Sequence, residues 1–285
     1  MSLHSRDEPR IGVGGQDPDE LCPVVHHEAH PIDDDVLHLP AVTSADHPIV
    51  DGKLLSTPRQ QRGRDACRLA VDGLAKILDP HPAVRAQAAE WAAAHPSVTV
   101  ISAMLTLLAD PATQARFAVQ NALLRMGGVV AGPLANFLET HTGRAAEAGL
   151  RVAESLAEPS FVPAALRLSR TDDVGIRIAA AKLLGAVGDA RGAARLIEML
   201  DDADSSVRAA AAQSLGRMQH WQAASLLAYR LRDSAWRVRR AAGLALRSIG
   251  APGALFLRRA IKGDDAFAAD MAQQVLDLPT AAASG

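Results

Sequence analysis

Aromatic side chains make up only 3% of this 285-residue chain, and cysteine occurs twice, as Cys22 and Cys67. The first scarcity excludes a core of large stacked rings. The 48% of residues that are hydrophobic, alanine above all, must pack as small side chains between helices that approach closely. Two cysteines give no disulfide framework and no paired metal motif, and they fit a reducing compartment. No apolar run reaches the ~18–20 residues needed to span a bilayer. The start, MSLHSRDEPR, lacks the apolar core of a signal peptide, so a cytoplasmic location is expected.

What the chain has is repetition. An arginine returns at Arg85, Arg116, Arg177, Arg208 and Arg239, each inside a similar phrase: DPHPAVRAQAAEW, DPATQARFAVQNALLRMG, TDDVGIRIAAAKLLGAVG, DADSSVRAAAAQSLGRM and DSAWRVRRAAGLALRSIG. The frame extends to degenerate copies with Ala146 and Asp270 at the arginine position, giving spacings of 31, 30, 31, 31, 31 and 31 residues. Seven copies between residues 66 and 278 fill three quarters of the chain. A unit of this length cannot bury its apolar face alone and stacks on its neighbours.

Each copy reads as two helices. Stretches such as 66–78, 97–109, 190–200 and 221–232 carry leucine and alanine at helical spacing and form first helices. The arginine phrase forms the second. With the arginine as position 0, apolar residues fill positions −1, 2, 3, 6 or 7 and 10, as in Val207, Ala210, Ala211, Leu215 and Met218, while positions 1, 5 and 9 face outward. The Asp, Ser or Thr ahead of each second helix is expected to supply the N-cap, and the prolines after Asp79 and Asp110 to open the first turn. Gly127, Gly188 and Gly250 read as helix stops.

The phrase D-x-x-x-x-V-R-x-x-A-A-x-x-L-G, clearest at 171–188, 202–218 and 233–250, resembles the bacterial HEAT-like repeats, the short kind also seen in phycobilisome lyases. The resemblance covers residues 66–278. It implies an all-α fold, a right-handed α-solenoid of about seven HEAT-like helical hairpins, preceded by an irregular N-terminal segment (1–60) and followed by a flexible tail (279–285). The third copy departs from the pattern, with Thr140 and Ala146 replacing acid and arginine, and so does the seventh, with Asp270. An atypical end copy is what capping requires.

The net charge of −2 conceals an asymmetry: residues 1–56 hold eleven acids and three bases, the remainder twenty-one acids and twenty-seven bases. The acidic segment is thus complementary to the repeats, and the N-terminal segment itself is one expected occupant of their basic face. It also holds six of the ten histidines. His26, His27, Glu28 and His30, four residues after Cys22, are the candidate ligands for a divalent metal, the alternative being a polar tail rich in histidine by composition. No other cofactor is expected.

The repeated arginines are expected to be structural, since identity in every copy is what a stacking device needs. Each can pair with the acids Asp79, Asp110, Asp202 and Asp233, within its copy or across to the next. Second helices of such solenoids line the concave surface, so positions 1, 5 and 9 are the candidate partner-binding residues: Phe117, Asn121, Arg125, Arg151, Ile178, Lys182, Gln213, Arg217, Arg240 and Leu244. Cations interleaved with apolar groups suit a protein partner or an acidic, partly apolar peptide. The expected function is a non-enzymatic scaffold or adaptor, with no catalytic residues assigned.

The alternatives are nucleic-acid binding, as in the DNA glycosylases built from HEAT-like repeats, chromophore lyase-like chemistry, and metal binding at the histidine cluster. A cluster of Tyr229, Arg230, Arg232, Trp236, Arg237, Arg239 and Arg240 mixes bases with aromatics as nucleic-acid surfaces do, but the pI near 6.5 argues against a phosphate-binding domain. The hydroxylases built of HEAT repeats carry His-Glu pairs, and these repeats have no His-Glu dipeptide.

Overall fold

The computed structural model describes residues 73–279 together with two short strands, β1 (Ile49–Val50) and β2 (Lys53–Leu54). The chain divides into two compact units, Met1–Val71 and Asp72–Gly285. In the first, β1 and β2 pair antiparallel, with Ile49 opposite Leu54 and Val50 opposite Lys53. The sequence reading expected no strand here, although Asp51-Gly52 between the two is a two-residue hairpin signal.

Among its described residues the second unit contains helices and no strand. Residues 73–77 end the first helix of hairpin one, whose expected start at 66 lies outside the described residues. Its second helix is α1 (Pro82–Ala94). The next hairpins are α2 (Val98–Thr106) with α3 (Thr113–Met126), α4 (Ala131–Thr140) with α5 (Gly143–Leu156), and α6 (Val162–Leu168) with α7 (Val174–Val187). Then come α8 (Ala190–Met199) with α9 (Ser205–Arg217), α10 (Ala224–Arg230) with α11 (Trp236–Ser248), and α12 (Ala251–Ile261) with α13 (Ala266–Asp277). Each second helix packs on the second helix of the next hairpin, so the unit is the seven-hairpin solenoid the period predicts. Among the described residues no helix is long and apolar enough to cross a membrane.

Small residues set how closely the second helices approach. Ala179, Ala180, Ala181, Ala210, Ala211, Ala212, Ala241 and Ala242 are buried, with Val207, Leu215 and Leu246 completely so. At three contacts even a methyl group is too much. A Cβ on Gly185 would stand 2.4 Å from the Ser214 Cβ, one on Gly216 2.7 Å from the Ala245 Cα, and one on Gly243 2.8 Å from a Val275 methyl. The expected glycine stops hold at positive φ: Gly127 (65°) and Gly188 (75°) cap the ends of α3 and α7, and Gly250 (84°) leads from α11 into α12.

The repeated arginine and acid form a ladder between hairpins. Nε and Nη2 of Arg85 donate to Asp110 at 2.5 and 2.9 Å, those of Arg177 to Asp202 at 2.9 and 2.9 Å, and those of Arg208 to Asp233 at 2.8 and 2.9 Å. Nη1 turns back to its own loop: in Arg208 it donates to the carbonyls of Asp202 and Ala203 at 2.8 and 3.0 Å. The expected Asp cap is found at Asp173 and Asp204, but the ladder acid itself is not the N-cap. It sits two residues earlier, where its second task is to accept the N–H of the cap residue, as Asp110 does from Ala112 and Asp233 from Ala235. The caps themselves are His81, Ala112, Asp173, Asp204 and Ala235. Pro80 and Pro111 consequently lie in the loop, and of the prolines beside Asp79 and Asp110 only Pro82 occupies a first helical turn.

The ladder is interrupted around the third hairpin. Among the described residues Arg116 pairs with no carboxylate; Thr140 and His141 stand where one would be, and His141 stacks on Phe137 with ring centroids 3.8 Å apart. Ala146 removes the next arginine. Hairpins three and four are held instead by Arg167, donating to the Leu138 carbonyl at 2.5 Å. Among the described residues no side-chain hydrogen bond or ion pair joins residues 82–126 to residues 131–279. That junction is apolar, with Leu108, Leu134 and Leu138 closing over Gly149.

Two measurements check this account. Gly185→Ala gains roughly 1 kcal/mol of helix propensity but overpacks against Ser214 at a cost of about 1–3 kcal/mol, so urea denaturation should show net destabilisation. Gly132→Ala, at a helical site with nothing within 4 Å of the new methyl, should stabilise. The second concerns Asp233. Burial pushes its carboxyl pKa up, and hydrogen bonds from Arg208 and the Ala235 N–H more than reverse this, leaving it below the usual range. A carboxylate held low contributes stability above its unfolded pKa of about 3.9 and loses it as pH falls below that value. Asp233→Asn should cost about 1.5–3 kcal/mol at pH 7, with the gap to wild type closing below about pH 4 in denaturation at several pH values.

Candidate interaction surface

Of the ten candidate residues on the second helices, eight stand on the surface: Phe117 (64% exposed), Asn121, Arg125, Arg151, Lys182, Gln213, Arg217 and Arg240. The other two correct the expectation. Ile178 and Leu244 are half-buried and pack against the core, and Ala209 at the same outward position is buried at 7% exposure. Second helices that approach as closely as they do at Gly185 and Gly216 leave less of each flank open than a looser stack would.

The cations on this face are largely spoken for. Arg125 pairs with Glu90 on α1, Arg151 with Glu147 one turn away at 2.6 Å, and Arg217 with Glu154 two hairpins earlier at 3.2 Å. The sequence reading missed Glu90 and Glu154. The signal was present at position 5 of the first copy and position 8 of the third, but a pair 63 residues apart shows only when the helices lie side by side. At the start of the stack the face holds a shallow groove of about 600 Å³ lined by Ala83, Gln87, Glu90, Gln114, Phe117 and Asn121. Over residues 73–220 bases and acids balance at fourteen each, and over 221–279 there are nine bases and five acids.

That excess gathers where first helices turn into second helices in the last two hairpins. Tyr229, Trp236 and Phe267 are 64, 55 and 69% exposed there, and each carries a guanidinium over its ring: Arg230, Arg240 and Arg239, 5.1–5.6 Å from the centroids. Arg237 donates to Ser206 at 2.8 Å, and Arg230 also pairs with Asp201. A groove of about 300 Å³ beside them is lined by Tyr229, Arg232, Phe256, Arg259 and Asp265.

His26, His27, Glu28 and His30, and the acidic segment proposed to cover the basic face, lie outside the described residues. Among the described residues no three His, Cys, Asp or Glu side chains cluster as metal ligands.

The family model for HEAT repeats matches residues 134–216 and again 193–277, together half of the chain. The chain belongs to the HEAT-repeat family. The matches cover α4 to α13, the part of this HEAT solenoid that lies beyond the apolar junction. A search of curated proteins returns no match.

Among solved structures, a chain of the Kap95p complex with RanGDP is 14% identical with a TM-score of 0.53; the alignment covers 76% of this chain and 37% of that one. A chain of the CpcE and CpcF complex of phycocyanin lyase from Nostoc sp. PCC7120 is 19% identical, covers 84% of this chain and 99% of that one, and has a TM-score of 0.42. A designed armadillo repeat protein in complex with the peptide (KR)4 is 15% identical, covers 62% of this chain and 98% of that one, and has a TM-score of 0.41. The first of these supports the α-solenoid fold, of which the HEAT chain spans little more than a third. At such identities the likeness concerns fold alone.

Proposed function

We propose that this HEAT-repeat chain is a scaffold or adaptor that holds a partner protein or peptide along its second-helix face. The observation that carries the reading is the row of exposed side chains on successive stacked helices, Asn121, Arg151, Lys182, Gln213 and Arg240, one per hairpin from α3 to α11. Stacked repeats turn such a row into a continuous track longer than any single pocket, and a track of this kind suits an extended segment better than a small molecule.

The chemistry of the track refines the partner. With Arg125, Arg151 and Arg217 already facing carboxylates, a polyanion finds little unpaired charge here, whereas a peptide carrying both signs can exchange partners with these pairs. Lys182 has no carboxylate partner among the described residues and is the natural seat for an acid. Phe117 and the groove at α1 and α3 provide the apolar anchor.

Affinity purification from the native cell, followed by mass spectrometry, identifies the partner. The double variant Arg151→Glu, Lys182→Glu should melt within about 1 kcal/mol of wild type, since both side chains are exposed, and should lose that partner. Undiminished capture by the variant would move binding off this face.

A further inference from the structure

The Arg–Asp ladder stops one rung short. Arg239 makes the inner half of the pattern, its Nη1 donating to the carbonyls of Asp233 and Ser234 at 2.9 and 3.1 Å. Its outer edge, the one that grips an aspartate in Arg85, Arg177 and Arg208, has no such partner among the described residues. Nε is buried without a hydrogen bond, and the Phe267 ring lies over the guanidinium 5.1 Å away.

The reason lies in the length of one loop. Asp264 stands twenty-five residues after Arg239, as each rung acid stands after its arginine. But α13 begins at Ala266, four residues before position 0 of its copy, while α9 and α11 begin three before theirs. Asp265 takes the cap, accepting from the Ala268 N–H at 2.8 Å, and no hydrogen bond joins Asp264 to Arg239.

The surroundings indicate what would complete the rung. Three times in this chain the same fork holds a carboxylate in bidentate fashion, so the matching group is an Asp or Glu side chain. Beside it stand Trp236 with Arg240, Tyr229 with Arg232, and the groove toward Phe256. Exposed Trp and Tyr among arginines, with Lys262 the one lysine in residues 221–279, is the composition of a protein-binding hot spot. The local excess of nine bases over five acids selects an acidic partner.

We infer that this edge of the last two hairpins docks an acidic segment of a partner protein, one carboxylate of which closes the fourth rung on Arg239 while a neighbouring apolar side chain enters the groove between Tyr229 and Phe256. Phe267, exposed and lightly packed, moves off the guanidinium as the carboxylate arrives. Of the track residues that carry the proposed scaffold role only Arg240 stands at this edge, beside Trp236, and Arg151 and Lys182 are not part of it, so the HEAT chain has two places to hold partners.

Fluorescence anisotropy on the full chain tests this with a short fluorescein-labelled peptide of Asp and Glu around a central Leu. Its Asn and Gln counterpart and an oligothymidylate serve as the other probes. The acidic peptide should bind, its amide counterpart at least about tenfold more weakly, and Arg232→Glu or Arg239→Lys should weaken the acidic peptide about tenfold. Arg151→Glu with Lys182→Glu should leave this binding unchanged; its loss there would place the peptide on the second-helix track instead. Equal binding of the two peptides would overturn the inference, and tighter binding of the oligothymidylate would make the edge a nucleic-acid surface. Because Arg239→Lys also disturbs the loop carbonyls, thermal melts supply an independent reading. Asp264→Asn should melt with wild type while Asp233→Asn melts lower, and equal losses would show that Asp264 closes the rung itself.

Discussion

A guanidinium shared between two loops fixes the register of this solenoid. Alanine and glycine let the second helices come close, and the burial of their apolar faces supplies most of the driving force, but a surface of methyl groups is smooth and specifies direction poorly. The rung adds what burial lacks. One end of the arginine ties down the two carbonyls that open its own helix, the other takes both oxygens of the next hairpin's aspartate, and that aspartate orders the residue before the next helix. A slip of one residue at any of these contacts breaks several charge-assisted hydrogen bonds at positions only 3–14% exposed, where water replaces them badly.

Much of this was legible in the chain. The 31-residue period gave the hairpins, the apolar stripe gave the buried faces, and Gly127, Gly188 and Gly250 marked ends where positive φ is required. The ladder was legible as a pairing rule with two solutions, and the second, across to the next hairpin, is the one realised. The expected cap holds where an Asp stands two positions after the ladder position, at Asp173 and Asp204. It fails where His81, Ala112 or Ala235 stands there, because the ladder acids Asp110 and Asp233 are engaged with the arginine of the preceding hairpin. On the candidate face the period predicted which residues point away from their own helix. It could not predict how far a neighbour reaches over them, which depends on how closely the second helices approach.

The two candidate surfaces differ in the state of their charges. On the second-helix track acids and bases lie side by side and neutralise one another, so recognition there rests on exchange and shape. At the loop edge of the last hairpins the bases outnumber the acids and sit against aromatic rings, in the arrangement that gives a few residues most of the energy of an interface. A chain of nearly zero net charge thus carries two electrostatically different surfaces, a distinction its pI conceals.

The junction between the second and third hairpins bears on mechanics. Directional bonds resist shear and twist, whereas leucine contacts permit small sliding at little cost, so a load applied along the stack is not shared equally among its hairpins. Strain is expected to collect at the seam, where Leu108, Leu134 and Leu138 close over Gly149, with the stretches on either side acting as the stiffer arms. The spacing of 30 rather than 31 residues falls at that seam, so the one irregularity in the period coincides with the point where the rod can bend.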